Sequence, residues 1–579
     1  MNKRLFLFAI IFFTTASFAQ NFRVITSLPS SQSLTAERTA YISVVFNEPI
    51  DTNTFNNTTV KVRGTWSGMN PCSFQYYGAN KGVRLTPTKL FSAGELVTVL
   101  LSKKIKTPGG DSLQKGFSWM FWIKSASGTL NLIPLDTIRV RQTGEGHVQT
   151  YGVNAVDVND DGWTDVTCPN ELSNDLRIFL NDGTGNYNDS FAIYPLVGGN
   201  RPSTNEGVDL NGDGVIDFAV GNTQNDKVHI FIGNGNGTFQ PSVSYQAASG
   251  VRGLSVLDLE SDGDFDIVTA NRAGNNISIL KNNGDGTFAP ANNIEANGNG
   301  ETACAVGDAN NDGVLDVFVG AIASSEMILL LGDGNGNLVY SAKINAGGSP
   351  WKIASGDVDG DGFADVVSAN SNNGTVAVIR SNGTGGLHPA TTNTVGNFPL
   401  SVSLGDIDGD GDLDLVTSNY GGGTWSVCVN NGSGMFTTAV TLNASQAGSC
   451  ATLHDRDNDG DLDMTGIDEE DDLIFIFDNN PTVGVKENSL SSVSFSLSQN
   501  YPNPFNPATK LSFVLGHSSF VTLKIYNIQG NEVAKVVNEN LPSGTYEREW
   551  NATNFPSGMY FYRLTSGQFS ETRKLLLLR

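Results

Sequence analysis

Asp406-Ile-Asp408-Gly-Asp410-Gly411-Asp412-Leu413-Asp414, running on into Leu415-Val-Thr417, is the stretch whose reading decides the fold of this chain. Carboxylates stand at its first, third, fifth and ninth positions, and a glycine at the sixth allows a sharp turn. One short loop of this kind can wrap a hard cation, which takes about six to eight oxygens, alternate carboxylates supplying most and a backbone carbonyl at position 7 another. An EF-hand would continue to a glutamate at position 12. Here Thr417 holds that position, inside a brief apolar, strand-like run. The loop therefore joins two strands and not two helices.

The same pattern begins at Asp157, Asp209, Asp258, Asp308, Asp357, Asp406 and Asp455, at intervals of 52, 49, 50, 49, 49 and 49 residues. A fixed interval of about 50 residues marks a repeat architecture. Each unit reads as strand, acidic loop, strand, polar loop, strand, Gly-rich turn and strand. The Gly-rich turns include Asn282-Asn-Gly-Asp-Gly-Thr-Phe288 and Asn430-Asn-Gly-Ser-Gly-Met-Phe436. Four short strands per unit make one propeller blade, so seven units predict a seven-bladed β-propeller. The seventh unit stops at Phe477-Asp-Asn-Asn480 without a fourth strand, while Leu132 to Val140 is a strand-like run ahead of the first. That run is expected to pair into blade seven, closing the ring and removing free sheet edges.

The candidate metal ligands are positions 1, 3, 5 and 9 of every loop. In blades one to four they are Asp157, Asn159, Asp161, Asp165; Asp209, Asn211, Asp213, Asp217; Asp258, Glu260, Asp262, Asp266; and Asp308, Asn310, Asp312, Asp316. In blades five to seven they are Asp357, Asp359, Asp361, Asp365; Asp406, Asp408, Asp410, Asp414; and Asp455, Asp457, Asp459, Asp463. Solvated Asp-Gly turns would explain a single copy. The charge supports metal: the seven windows hold 29 of the chain's 59 acidic residues and one basic residue, Arg456, so the formal charge of −24 belongs to the loops. Unneutralised, those carboxylates repel one another. A calcium site with a dissociation constant of about 10⁻⁴ M gains about 1.4 kcal/mol at roughly 1 mM calcium, so a structural role fits better than a catalytic one. About one Ca²⁺ per blade, up to seven, is expected.

Loop, spacing and copy number together resemble FG-GAP or VCBS repeats, the units of the integrin α-subunit propeller, over about residues 130–480. The resemblance implies calcium loops on one face and ligands on the opposite face or rim. Asn159, Asn211, Glu260 and Asn310 depart from Asp at position 3, so the seven sites are not expected to be equal. The loops opposite the acidic ones precede the first strand of each blade or follow its second. They offer Arg201, Arg252, Arg272, Trp351, Phe398, Tyr420 and Trp425. Aromatics beside arginine suit a sugar or protein ligand; blade-to-blade packing and solvated surface are the other account of the same residues.

Outside 127–480 the chain reads as four further segments. Residues 1–19 carry Lys3 and Arg4, an apolar stretch from Leu5 to Phe13 and Ser17-Phe-Ala19, a secretory signal peptide expected to be cleaved. Residues 20–126 are all-β, and Phe46-Asn-Glu-Pro-Ile-Asp-Thr-Asn-Thr-Phe55 with Phe117-Ser-Trp-Met-Phe-Trp122 resembles bacterial Ig-like (SbsA-type) domains, which are usually spacers. A Ser-rich linker spans 481–496. In 497–579, Tyr501-Pro-Asn-Pro-Phe-Asn-Pro507, Gly544-Thr-Tyr546 and Ser557-Gly-Met-Tyr-Phe561 resemble the C-terminal sorting domain of type IX secretion. That resemblance implies passage through the outer membrane, an extracellular or surface-attached product, and the type IX secretion machinery as a partner. Leu575 to Leu578 is expected to be a final strand.

The fold class is therefore all-β: a seven-bladed propeller flanked by an N-terminal Ig-like β-sandwich and a C-terminal β-sandwich sorting domain. Five cysteines are an odd number without metal-like spacing, and one or two disulfides are open. Five dispersed histidines share no motif, so no catalytic constellation emerges and a non-enzyme is expected. The acidic bias argues against nucleic acid and anionic membrane surfaces as partners; no integral membrane span is expected. A surface binding or adhesion module for a glycan or protein is the leading reading. A propeller-type polysaccharide lyase or glycosidase is the alternative.

Overall fold

Each acidic loop reverses the chain between the first and second strands of a four-stranded antiparallel sheet. In blade two the strands are Pro202–Val208, Asp217–Asn222, Lys227–Phe231 and Val243–Gln246, hydrogen-bonded in that order. The computed structural model describes residues 21–187, 190–479, 496–497, 500, 502–515, 519–541, 544–566 and 569–578. The expected signal peptide and nearly all of the linker lie outside them.

Seven such sheets follow one another along the chain. Their second strands, such as Asp217–Asn222 and Asp266–Asn271, are buried along their whole length, as expected of sheets covered on both faces. Blade seven consists of Gly448–His454, Asp463–Asp468 and Leu473–Asp478, and takes Ile133–Arg139 as its fourth strand. Ile474 lies opposite Ile138 and Phe475 opposite Thr137 in that pairing. The expected closure is what the structure shows. Ile138, Ile474 and Ile476 then pack with Val166 and Phe179 of blade one, which seals the ring.

The N-terminal region is a sandwich of two four-stranded sheets. One contains Val24–Leu28, Ile42–Phe46, Gly82–Pro87 and Cys72–Tyr77; the other contains Gly68–Met69, Val60–Gly64, Leu96–Leu101 and Phe117–Trp122. Its core holds Val44, Phe46, Val97, Val99, Trp119 and Phe121. The alternate side chains of the second sheet leave this core and enter the propeller. Leu100 and Met120 pack with Leu254, Leu257 and Phe265, and Trp122 packs with Val358, Leu404 and Leu413. Trp66 packs with Ala155, Leu453 and Leu462.

Sandwich and propeller form one compact unit, and the residues after 481 a second. The sandwich sits on the acidic-loop face and reaches all seven blades. Asp157 N–H donates to Trp66 O at 2.8 Å, Ser118 N–H to Gly313 O at 2.7 Å and Ala126 N–H to Gly460 O at 2.7 Å. Arg63 Nη2 donates to Gly207 O at 2.7 Å, Ser102 Oγ to Ser261 O at 2.9 Å and Ser125 Oγ to Asp406 O at 2.6 Å. Asp357 N–H donates to Gln32 Oε1 at 3.4 Å. This corrects the expectation of a spacer: the domain is a cap.

In the second unit, Ala508–Leu515 pairs with Gly544–Asn551, while Ser519–Tyr526, Glu532–Leu541, Gly558–Ser566 and Phe569–Leu577 form a four-stranded sheet. Leu511, Phe513, Leu523, Tyr562, Leu575 and Leu577 meet between them. Leu575 to Leu577 thus belong to a final strand, as expected. Among the described residues no helix is long and apolar enough to cross a membrane.

Candidate functional site

The acidic loops share one hydrogen-bond scheme. The position-9 aspartate is buried at the start of the second strand. Its Oδ2 accepts from the backbone N–H of position 2, as in Leu210 to Asp217 at 2.9 Å and Ala309 to Asp316 at 2.9 Å. Its Oδ1 accepts from the N–H that opens the Gly-rich turn, as in Asn181 to Asp165 at 2.8 Å and Asn430 to Asp414 at 2.7 Å. In blades one to six the position-1 carboxylate also accepts from amides inside the turn, Asp258 from Asp262 N–H at 3.1 Å and Gly263 N–H at 2.8 Å; Asp455 of blade seven does not. Position 6 is left-handed in every loop, from Gly313 at φ 79° to Gly263 at φ 102°, which is why it is glycine.

Three loops gather three carboxylates each with oxygens within 4.8 Å of one another: Asp357, Asp359 and Asp361; Asp406, Asp408 and Asp414; Asp455, Asp457 and Asp459. Asp455 Oδ1 and Oδ2, Asp406 Oδ1 and Asp359 Oδ1 are buried without a hydrogen-bond partner. An all-oxygen donor set with orphaned buried lone pairs fits a hard divalent cation. Two position-3 asparagines satisfy their loops internally, Asn159 Nδ2 donating to Asp161 at 2.9 Å and Asn211 Nδ2 to Asp213 at 2.9 Å, whereas Glu260 Oε2, buried without a hydrogen-bond partner, lies 3.5 Å from Lys281 Nζ. The loops thus differ in how their position-3 side chains are partnered. Burial pushes Asp165, Asp316, Asp365 and Asp414 up to about 8.

The Gly-rich turns do more than reverse the chain. Asn282 Nδ2 donates to Phe265 O of its own blade at 3.0 Å and to Leu210 O of the preceding blade at 2.7 Å. Asn181, Asn430 and Asn479 repeat the staple, Asn181 joining blade one to Arg456 O of blade seven at 3.1 Å. Arg456 itself is buried, with Asp457 and Asp478 each at 3.3 Å. These asparagines were legible only as turn formers.

The propeller's first strands surround a channel holding a cavity of about 340 Å³, with Arg63, Trp66 and Trp122 of the cap at one end and Tyr151, Arg252 and Trp351 at the other. At this free mouth Trp351 Nε1 donates to the Tyr151 hydroxyl at 2.7 Å, and Arg252 Nη2 donates to the same oxygen. The Arg252 guanidinium lies 4.3 Å from the Tyr151 ring centroid and 5.1 Å from that of Trp351. Arg272 covers Trp351 at 5.2 Å. Trp351, Phe398 and Tyr420 follow one another at ring separations of 6.1 and 6.1 Å. The Tyr420 hydroxyl ends the row, donating to Glu470 at 2.7 Å. Arg201 and Arg252 share the buried carboxylate of Glu171, at 3.0 and 3.1 Å.

Six of the seven mouth residues named from the sequence are thus brought to one place. Trp425 is the correction: it is fully buried, packs with Phe475 and Phe477 of blade seven, and donates to Cys450 O at 3.1 Å. Tyr151, Glu171 and Glu469 were missed, although register finds them. Tyr151 stands as far before Asp157 as Arg252 does before Asp258 and Trp351 before Asp357. Glu171 and Glu469 follow their loops at the spacing of Arg272 and Tyr420. The cysteines are all buried and free, so neither possible disulfide forms. His454 is buried between Thr164 and Thr465, at 2.7 and 2.8 Å.

Family profiles match three regions: FG-GAP-like repeat at 157–220, 209–269, 258–319, 357–417 and 406–465, bacterial Ig-like domain at 19–122, and secretion system C-terminal sorting domain at 499–578. No curated protein matches the chain. Solved structures with similar folds include BBS1N in complex with ARL6DN, soaked with lead, 12% identical over 62% of this chain and 100% of that one, TM-score 0.44. A second is an Agrocybe aegerita lectin described for recognition of non-reducing terminal N-acetylglucosamine, 18% identical over 71% and 95%, TM-score 0.38. A third is a functionally unknown protein from Desulfotomaculum acetoxidans, 12% identical over 65% and 96%, TM-score 0.37. The chain is an FG-GAP-like repeat propeller joined to a bacterial Ig-like domain and a secretion system C-terminal sorting domain.

Proposed function

We propose that this is an exported, surface-attached propeller that binds a glycan or protein through the mouth opposite its acidic loops, without chemical turnover. The observation that carries this is the position of the Ig-like cap. It contacts all seven blades on the acidic-loop face, and Trp351, Phe398, Tyr420 and the arginines crowd the opposite mouth. The sorting domain supports delivery through the outer membrane by its secretion machinery.

Calcium is the cation that best suits the loops, since hard, flexible oxygen ligation is what they offer. When bound it supplies countercharge. The chain's own residues do the rest: positions 1 and 9 pin the turn and the second strand, and the cap lies over the ring they hold. The number of ions is between the three orphaned clusters and one per blade.

The test is retention of the labelled, full-length protein on immobilised glycans and on cell surfaces in calcium. Trp351→Ala and Tyr420→Ala should each weaken retention at least about tenfold, the scale of losing one aromatic anchor. Unchanged retention in both variants removes the mouth as the site. Product released from a bound polysaccharide would point instead to the carbohydrate-active enzyme.

A further inference from the structure

Resting on that reading of the mouth, we propose that its ligand is an acidic saccharide. The ligand's carboxylate pairs with Arg272, and its sugar rings lie along Trp351, Phe398 and Tyr420.

Three guanidiniums converge on the mouth, and two are already engaged. Arg201 and Arg252 both pair with Glu171, at 3.0 and 3.1 Å. Arg272, by contrast, has no carboxylate partner among the described residues; it lies exposed over Trp351 at 5.2 Å. Partial desolvation against Trp351 and the neighbouring Arg252 charge lower its proton affinity, so an anion there relieves a like-charge contact. A planar guanidinium beside an aromatic face is suited to bidentate capture of a carboxylate.

The row of rings leads away from that cation. Trp351 and Phe398 are tilted by 57°, Phe398 and Tyr420 by 64°, so the three form a non-coplanar row. Polar groups close both of its ends, Arg272 beside Trp351 and Glu470 beside Tyr420. Such alternation suits the apolar faces and hydroxyl edges of a saccharide better than the contiguous apolar core of a protein interface. Phe398 is 36% exposed and holds φ at 56°, a left-handed conformation that a bulky residue adopts at a cost. The corresponding positions in blades one to four are Gln149, Arg201, Gly250 and Gly300, at φ 56°, 56°, 80° and 71°, so the left-handed turn belongs to the repeat and blade six uses it to present an aromatic at the mouth. Unspent hydrogen-bonding capacity lies at the same mouth: Arg252 Nε and Glu469 Oε2 are buried without partners, and Glu469 is only 4% exposed.

The molecule's charge of −24 does not oppose this. About half of its acidic residues lie in the loops of the far face, and charges beyond a Debye length of about 8 Å are largely screened at physiological ionic strength. Glu470 sits at the Tyr420 end of the row, with two further rings between it and the Arg272 cation.

The experiment is calorimetric titration of the full-length protein in calcium with oligogalacturonates and sialyllactose, each beside its carboxyl-reduced counterpart. The acidic forms should bind at least about tenfold tighter than the reduced ones, and Arg272→Ala should lower acidic binding to the reduced level. Equal binding of acidic and reduced sugars, lost in Trp351→Ala, overturns the anion assignment while leaving the mouth as a sugar site. Acidic binding unaffected by Arg272→Ala also overturns it. Absence of binding by every sugar, with a protein ligand retained and lost in Trp351→Ala, overturns the saccharide and keeps the mouth.

Discussion

Trp351 of blade five donates its indole N–H to the Tyr151 hydroxyl of blade one at 2.7 Å, a hydrogen bond that crosses the channel mouth between blades that are not neighbours in the ring. Arg252 of blade three donates to the same oxygen. Tyr151→Phe removes the shared acceptor and leaves two donors short of a partner. The expected loss is about 1–3 kcal/mol, read as a lower urea midpoint at unchanged m-value.

Asn430 joins blades five and six through Val358 O at 2.8 Å and Leu413 O at 3.1 Å. Asn430→Ala orphans both carbonyls and should cost about 1–3 kcal/mol. Asn430→Ser should fall between, because blade five naturally carries Ser381 there, which reaches Ala364 O of its own blade at 2.6 Å. Equal stabilities of the three proteins by urea unfolding would remove the staple as a stabilising contact.

The cap can be tested through Trp122, a side chain that leaves the sandwich core for the propeller. Trp122→Ala should cost about 3–5 kcal/mol as a large-to-small core change. It should also expose residues 123–130 to limited proteolysis while the two folded parts persist. A spacer would show neither effect.

His229 gives an acid response independent of the metal loops. Burial lowers its proton affinity to about 4, with Lys227 contributing, and its Nε2 has no hydrogen-bond partner. A base depressed in the fold binds its proton mainly after unfolding. Its contribution is therefore present above the unfolded value of about 6.5 and lost as pH falls toward 4. His229→Phe should flatten the decline of the urea midpoint between pH 6.5 and 4 relative to wild type; parallel curves would contradict it.

Chelation tests the loops directly. Thermal unfolding of the intact protein should shift downward in chelator and recover on adding calcium, with several ions bound per chain by elemental analysis. Asp406→Ala and Asp455→Ala should lower both the ion count and the calcium-dependent shift, since the orphaned oxygens are theirs. Identical melting in calcium and chelator would leave the loops as bare turns.

The propeller was legible because its loops report their own geometry. A glycine at position 6 and an aspartate at position 9 are each required by one backbone feature, and that feature recurs in every blade. The closing strand was legible as a missing fourth strand at one end and a surplus one at the other. Docking of the cap was not read, although Phe117-Ser-Trp-Met-Phe-Trp122 carried its signal. In this strand Trp119 and Phe121 fill one core while Met120 and Trp122 fill another, so apolar residues on both faces announced a second partner. Trp425 was misplaced because an aromatic near a loop gives no sign of whether its strand turns it toward solvent or toward the next blade. The staples were hidden because asparagine already has a local reason to open a turn.

Ile133–Arg139 waits, in the order of synthesis, for Leu473–Asp478, its only sheet neighbour among the described residues. Some 340 residues emerge before that clasp can fasten, so the ring stays open with an unmatched edge while the chain is being made. The cap needs all seven loops in place to seat fully. Ring closure and full seating of the cap therefore both need the chain through Asp478, so neither can be complete before the last blade is made.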